Sequence, residues 1–311
     1  MNQPLLLSIV VPVFNEIESI HLLYSQLKTV LEKERYNYEV VFVDDGSTDN
    51  TFALIKKLNL ENKRVRGLSF SKNFGHQIAL LAGLKNSKGD LVITMDGDGQ
   101  HPADFIPALI QKQSQGFDIV NTIRSDSPDT GVFKKLSSKW FYKIINVLSE
   151  VEIVSASADF RIMNRKAVEA FIAIPETDRF TRGLISWMGF NQAVISYAAN
   201  SRLAGKSKFS FSKMLRFAIN GITSFSAKPL RFSLYLGVLV AGISVVYAIY
   251  AIAQFVRGHV IPGWTSILLS VLFIGGSILI NMGIMGEYIA RIFSETKNRP
   301  LYFIKDQTEE R

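Results

Sequence analysis

Asp96 and Asp98 stand two residues apart in a glycine-punctuated segment, Met95-Asp-Gly-Asp-Gly-Gln-His-Pro102. A turn of this kind lets the backbone aim both carboxylates at one ion, and Gln100 extends the series with a neutral oxygen. Hard oxygen ligands suit Mg2+ or Mn2+, which share their coordination with phosphate oxygens and water. Such a cation neutralises a departing diphosphate. Alone, the pattern is weak and better describes a solvated turn. Its place directly after the apolar run Leu91-Val-Ile-Thr-Met95 favours the metal. The sequence has no G-x-x-x-x-G-K-[ST] and no G-x-G-x-x-G after its first apolar run, which disfavours a P-loop NTPase and a Rossmann dehydrogenase. Cysteine is absent, which removes disulfides, cysteine nucleophiles and zinc–thiolate sites. The four histidines (His21, His76, His101, His259) show no paired metal-ligand spacing.

The elements that must position these residues read as alternating strands and helices. Leu7–Val13 and Tyr38–Asp44 are β-rich runs, with a helical stretch from Ile17 to Glu34 between them. Thr51–Leu60 reads as helix, Val65–Phe70 as strand, Gln77–Asn86 as helix and Asp90–Met95 as strand. A helix from Pro102 to Gln113 and a strand at Asp118–Thr122 follow. Continuous apolar strands separated by helices imply an α/β domain with a mostly parallel sheet covered on both faces. Ligands of such sheets bind beyond the carboxyl ends of the strands, where Glu16, Asp44, Asp45, Asp96 and Asp98 all fall.

The second half differs in composition. The chain has 311 residues and a formal charge of +8, yet from Arg179 to Gly286 it carries ten Lys or Arg and no acid. A nucleic-acid binder would not run on into hydrocarbon-like sequence, so attraction to an anionic membrane surface is the simpler reading. Phe232–Val256 and Gly263–Gly286 are 25 and 24 residues without charge, longer than the roughly 20 needed to cross a bilayer core. Lys228 and Arg231 before them, and Arg291, Lys297, Arg299 and Lys305 after them, place both termini and the first half in the cytoplasm. The run Leu5–Val11 has no basic leader and continues into Pro12, so it reads as a strand, not a signal peptide. The expected organisation is a catalytic domain over 1–209, an amphipathic interfacial helix over 210–231, membrane helices at 232–256 and 263–286, and a cytoplasmic tail over 287–311.

Ser8-Ile-Val-Val-Pro-Val-Phe-Asn-Glu16, Val43-Asp-Asp-Gly-Ser-Thr-Asp49, Ser71-Lys-Asn-Phe-Gly75 and the Met95–Pro102 segment together resemble the inverting family-2 glycosyltransferases of GT-A fold. Asp159-Phe-Arg-Ile-Met-Asn-Arg165, Gly205-Lys-Ser-Lys208 and the two terminal spans resemble its polyprenyl-phosphate branch. Bactoprenol glucosyltransferases and dolichol-phosphate mannose synthases belong to that branch. The resemblance implies transfer of a hexose from a nucleotide sugar to polyprenyl (undecaprenyl) phosphate at the inner bacterial membrane. UDP-glucose is the favoured donor and GDP-mannose the alternative. It implies nucleotide-sugar contacts from Pro12, Phe14, Glu16, Asp44, Asp45, Lys72, Phe74, Gly75 and Asp96, and Mg2+ or Mn2+ on Asp96, Asp98 and Gln100. Acceptor-phosphate contacts would come from Arg124, Lys134, Ser138, Arg202 and Lys206. Asp159 and Arg161 would lie near the sugar, and a homo-oligomer, a tetramer as in close relatives, would form. Other readings stay open at several of these positions: a turn role for Asp45, a structural Asp159–Arg161 pair, a solvated helix face at Lys134, and a membrane-surface patch at Arg202 and Lys206.

One position departs from the family. Relatives often carry Asp three residues before the D-F-R aspartate, and here that residue is Ala156. Either Asp159 suffices or Ala156 replaces a catalytic carboxylate. Two rival classes lack their marks in this sequence. A processive polysaccharide synthase would bring a Q-x-x-R-W motif and more spans, neither of which is present. A transporter-like membrane protein would bring charges within the spans, and both spans lack them.

Overall fold

The computed structural model describes residues 5–124, 157–198, 226–258 and 263–308. Lys134, Ser138, Ala156, Arg202, Lys206 and most of the expected interfacial helix lie outside the described residues.

An eight-stranded sheet forms the catalytic domain. Its strands are β1 (Leu6–Val13), β2 (Asn37–Asp44), β3 (Val65–Phe70), β4 (Leu91–Thr94), β5 (Ile119–Arg124), β6 (Ser157–Asn164), β7 (Gln192–Tyr197) and β8 (Ile304–Gln307), in the order β7-β5-β6-β4-β1-β2-β3-β8. β4, β1, β2 and β3 run parallel, as do β5 and β7. β6 runs against both β4 and β5, and β8 runs against β3. The sheet is therefore mixed, with the expected parallel block at its centre.

Alternation along β1 builds the two faces. Leu7, Ile9, Val11 and Val13 pack with α1 (Ile17–Lys33), α2 (Thr51–Glu61) and α4 (Ile106–Gln113) through Ile20, Leu23, Leu27, Ile55 and Leu109. Val10 points the other way, onto α3 (His76–Asn86), α5 (Arg165–Ala173) and α6 (Thr181–Trp187), through Leu80, Leu84, Val168, Phe171 and Leu184. Period-two strand residues are thus buried on both sides, which is why these strands read as unbroken apolar runs.

Two helices follow, α7 (Lys228–Val256) and α8 (Trp264–Thr296). They are long and apolar enough to cross a membrane, and their apolar windows are unburied by the rest of the chain. Both exceed the charge-free stretches. At about 1.5 Å per residue, the 33 residues of α8 span about 50 Å against a hydrocarbon core of about 30 Å. The helix itself runs about three turns past the expected end of the span at residue 286, to Thr296.

Part of the stretch expected as a cytoplasmic tail joins the fold. Residues 304–307 return to the catalytic sheet as β8, pairing Leu68 with Gln307 and Ser69 with Asp306. Tyr302 stacks on Phe70 with ring centroids 4.8 Å apart, and Lys56 pairs with Asp306 at 2.5 Å. The exposed ion pair adds little; the stacked ring adds buried apolar area to the backbone ladder and the Thr308–Gly67 bonds. Tyr302→Ala should cost about 2 kcal/mol, lowering the unfolding midpoint by about 4–8 °C. Thermal fluorimetry of the detergent-solubilised protein checks this, and an unshifted midpoint contradicts it.

Candidate active site

A cleft of about 190 Å³ opens at the carboxyl ends of β1, β2 and β4, lined by Pro12, Val13, Phe14, Glu16, Asp45, His76, Asp96, Gly97 and Asp98. Its walls are three loops laced together. Asn15 adopts a left-handed conformation, φ 54°, and its side-chain oxygen accepts from the Thr48 amide at 2.9 Å. The Asn15 amide donates to Ser47 Oγ at 2.9 Å. Gly46, φ 71°, lets the β2 loop touch the loop after β3, where a Cβ would fall 2.3 Å from the Lys72 carbonyl carbon. No larger residue fits there.

The expected nucleotide residues divide into two sets. Pro12, Phe14, Glu16, Asp45 and Asp96 line the cleft. Asp44 is buried beneath it, accepting from the Ser47 amide at 3.0 Å and from the Ser69 hydroxyl at 2.7 Å. Asp45 accepts from the amides of Phe74 and Gly75 at 2.7 and 3.0 Å, so the Ser71–Gly75 segment acts through its backbone. Burial pushes the Asp45 carboxyl up, opposed by those amides. Lys72 lies 5.1 Å from the Phe74 ring centroid and lines no part of the cleft.

β6 supplies the other half of the site. Its register pairs Thr94 with Arg161, and two residues further along that antiparallel ladder Asp159 falls across from Asp96. The Thr94 hydroxyl donates to the Asp159 carbonyl at 2.6 Å. Arg161, 1% exposed, donates through Nη2 to Asp159 Oδ1 at 2.8 Å and to the Ala158 carbonyl at 2.9 Å. The structural pair and the site residue are therefore the same two groups.

Two cations face the other carboxylate oxygen. His76 Nε2 lies 3.7 Å from Asp159 Oδ2 and 3.4 Å from Asp96 Oδ1. Arg182, on α6, lies 3.6 Å from Asp159 Oδ2. Burial opposes the charge on Asp159, but His76, Arg182 and Arg161 outweigh it and hold the carboxyl far below the usual range. For His76 too, burial works against the charge, yet Asp159 and Asp96 prevail and push the imidazole up to about 9. His101 supports the Asp96 turn from below: it is buried, stacks on Phe160 at 5.0 Å, and accepts from the Asp96 amide through Nδ1 at 2.9 Å.

The residues present fit a hard divalent cation. Asp96 Oδ1 is shielded from solvent and has no hydrogen-bond partner, and Asp98 presents a second carboxylate on the same turn. No cluster of three or more His, Cys, Asp or Glu with metal-site geometry occurs among the described residues. Such a cation would therefore need substrate oxygens and water to complete its shell, as Mg2+ commonly does. Gln100, expected as a third ligand, accepts from Arg124 Nη1 at 3.0 Å. That bond ties an expected acceptor-phosphate residue to the Asp96–Asp98 turn.

His76, His101 and Arg182 were not singled out in the sequence. His76 directly follows the Ser71–Gly75 motif, so adjacency was the available signal. Arg182 lies 23 positions beyond Asp159, and no local period links them.

Comparison with known proteins agrees with this geometry. The glycosyl transferase family 2 model matches residues 8–172, and the GtrB C-terminal hairpin model matches residues 228–292. A bactoprenol glucosyl transferase of Shigella phage SfX is 43% identical over 302 residues, covering 97% of this chain and 99% of the relative. A prophage bactoprenol glucosyl transferase homolog of Escherichia coli K12 is 41% identical over 300 residues, covering 96% and 98%. Mannosyl-3-phosphoglycerate synthase of Rubrobacter xylanophilus shares the fold, with a TM-score of 0.51 at 16% identity over 73% of this chain and 74% of that one. With its family core intact across the sheet and its C-terminal hairpin matched in turn, the chain belongs to glycosyl transferase family 2.

Proposed function

We propose that this glycosyltransferase moves glucose from UDP-glucose to a polyprenyl phosphate at the cytoplasmic face of a bacterial membrane, inverting the anomeric centre. The observation that carries the reading is the β4–β6 register, which sets Asp159 and its cations beside Asp96 at the edge of the cleft, with His76 facing both carboxylates. The near-full-length relatives named for bactoprenol glucosyl transfer support the acceptor and the sugar. The excess of bases flanking α7 and α8 supports the orientation.

In this reading a lipid phosphate oxygen forms a bond to the anomeric carbon while the nucleoside diphosphate departs from the opposite face with the bonding pair. Pro12, Phe14 and Glu16 hold the nucleoside, with Asp45 shaping the pocket floor. A divalent cation held by Asp96 and Asp98 would supply charge neutralisation at the diphosphate. Asp159 stays ionised at neutral pH and is a poor proton acceptor, so it acts by charge and by orienting the sugar. The acceptor phosphate is already anionic, so no strong base is needed. His76 and Arg182 add positive charge beside the cleft, where the leaving group gains negative charge.

A donor panel tests the reading. Detergent-solubilised protein, undecaprenyl phosphate and radiolabelled UDP-glucose should yield an organic-soluble labelled lipid, with GDP-mannose giving little. A labelled lipid from GDP-mannose alone would move the assignment to a mannose synthase. Label in a polymer would move it to a processive enzyme.

A further inference from the structure

The helix α8 leaves its apolar stretch carrying three charged residues at four-residue spacing, Glu287, Arg291 and Glu295. That spacing puts them on one side of the helix. Two of them grip the catalytic domain. Glu295 accepts from the Thr177 amide through both carboxylate oxygens at 3.0 Å, from the Thr177 hydroxyl at 2.8 Å, and from the Asp178 amide at 3.4 Å. Arg291 Nη2 donates to the Asp178 carbonyl at 3.2 Å.

The gripped turn is rigid and leads straight to the reaction centre. Buried Arg179 donates to the carbonyls of Phe171 and Ile174 at 2.7 and 2.9 Å, fixing the turn to the end of α5. Thr181, 2% exposed, opens α6, and the next residue is Arg182, facing Asp159 Oδ2 at 3.6 Å. The residue held by the Glu295 carboxylate, Thr177, therefore stands five positions before the guanidinium that faces Asp159. Among the described residues, nothing but Asp159 pairs with Arg182. Its placement therefore depends on where the start of α6 is held.

We propose that Glu295 is a positioning residue for the transfer reaction. By fixing the Thr177–Asp178 turn it sets the start of α6, and through it the reach of Arg182 to Asp159. The reaction centre then assembles fully only when the inner end of α8 is docked on the domain. This deepens the proposed function and rests on it for the activity readout; the exchange readout below does not.

The test uses the full chain in detergent. Glu295→Ala should lower kcat for the labelled lipid about tenfold, with the donor KM within twofold, because the nucleotide contacts lie on the far wall of the cleft. Hydrogen–deuterium exchange should rise at the Thr177 and Asp178 amides and through residues 181–187, while α1 and α2 stay as in the parent. Glu295→Gln keeps acceptor oxygen for the Thr177 hydroxyl and should fall between the two. In an Arg182→Ala background, Glu295→Ala should cost less than a further twofold, since a residue acting through Arg182 has nothing left to act on. If Glu295→Ala unfolds the protein, Thr177→Val, which removes one bond, gives the same comparison at smaller amplitude. Unchanged exchange at 177–187, or losses from Glu295 and Arg182 that multiply, would overturn the proposal. Failure of the parent to make any labelled lipid would count against the proposed substrates and leave the exchange comparison decisive for Glu295.

Discussion

Asp98→Ala should lower transfer at least about 10²-fold, with the unfolding midpoint close to the parent. Asp98 lines the cleft on the Asp96 turn, where its Oδ1 accepts a local bond from the Gln100 amide at 3.1 Å. Losing that bond affects one turn. Losing one of the two carboxylates beside the diphosphate removes roughly 3 kcal/mol or more of transition-state stabilisation. Chelation should do the same to the parent, and added Mn2+ or Mg2+ should restore activity to the parent but not to Asp98→Ala. Steady-state rates with and without EDTA decide it. A parent that keeps most of its activity in EDTA would remove the metal from the reaction.

Asp159 should show the largest combined effect on stability and rate. Its carboxylate neutralises Arg161, which is 1% exposed and bonded to little else. Asp159→Ala leaves that guanidinium buried and unpaired, a loss of about 3–5 kcal/mol, or a midpoint roughly 6–20 °C lower. Transfer should fall at least about 10²-fold, because Arg182 and His76 lose their shared anion as well. Asp159→Asn separates the two effects. The amide oxygen still accepts from Arg161, so much of the stability should return while the rate stays low. Near-parent turnover by Asp159→Asn would show that the charge at this position is not needed.

The parallel core was legible because period-two burial on both faces leaves apolar runs that few other structures produce. The carboxylates of Glu16, Asp45, Asp96 and Asp98 were legible because the ends of such strands are known once the strands are. Asp159 was legible through its D-F-R motif, but not its pairing: β6 runs antiparallel between β4 and β5, and that reversal has no local signature. Arg182 and β8 depend on contacts made across long separations, which no window of sequence contains. Asp44 also stands at a strand end, and its carboxylate is held by the Ser47 amide and the Ser69 hydroxyl. Glu39 is a similar buried acid at the other end of the sheet, held by Ser8 at 2.6 Å and Arg66 at 3.0 Å.

The return of β8 to the sheet has a consequence for biosynthesis. β3 ends at Phe70, and its outer edge is covered by residues 304–307, so more than 230 residues must be translated between the strand and its cover. During that interval the nascent domain exposes unpaired backbone groups along β3, a template for pairing with other chains. Translation at about 5–20 residues per second makes the interval last roughly 10–50 s. The cover also arrives only after both apolar helices have left the ribosome. A chain whose hairpin stalls at the insertion machinery would therefore keep an open sheet edge. Closure of the catalytic sheet is thus among the last steps of synthesis, and aggregation through β3 the expected fate of chains that miss it.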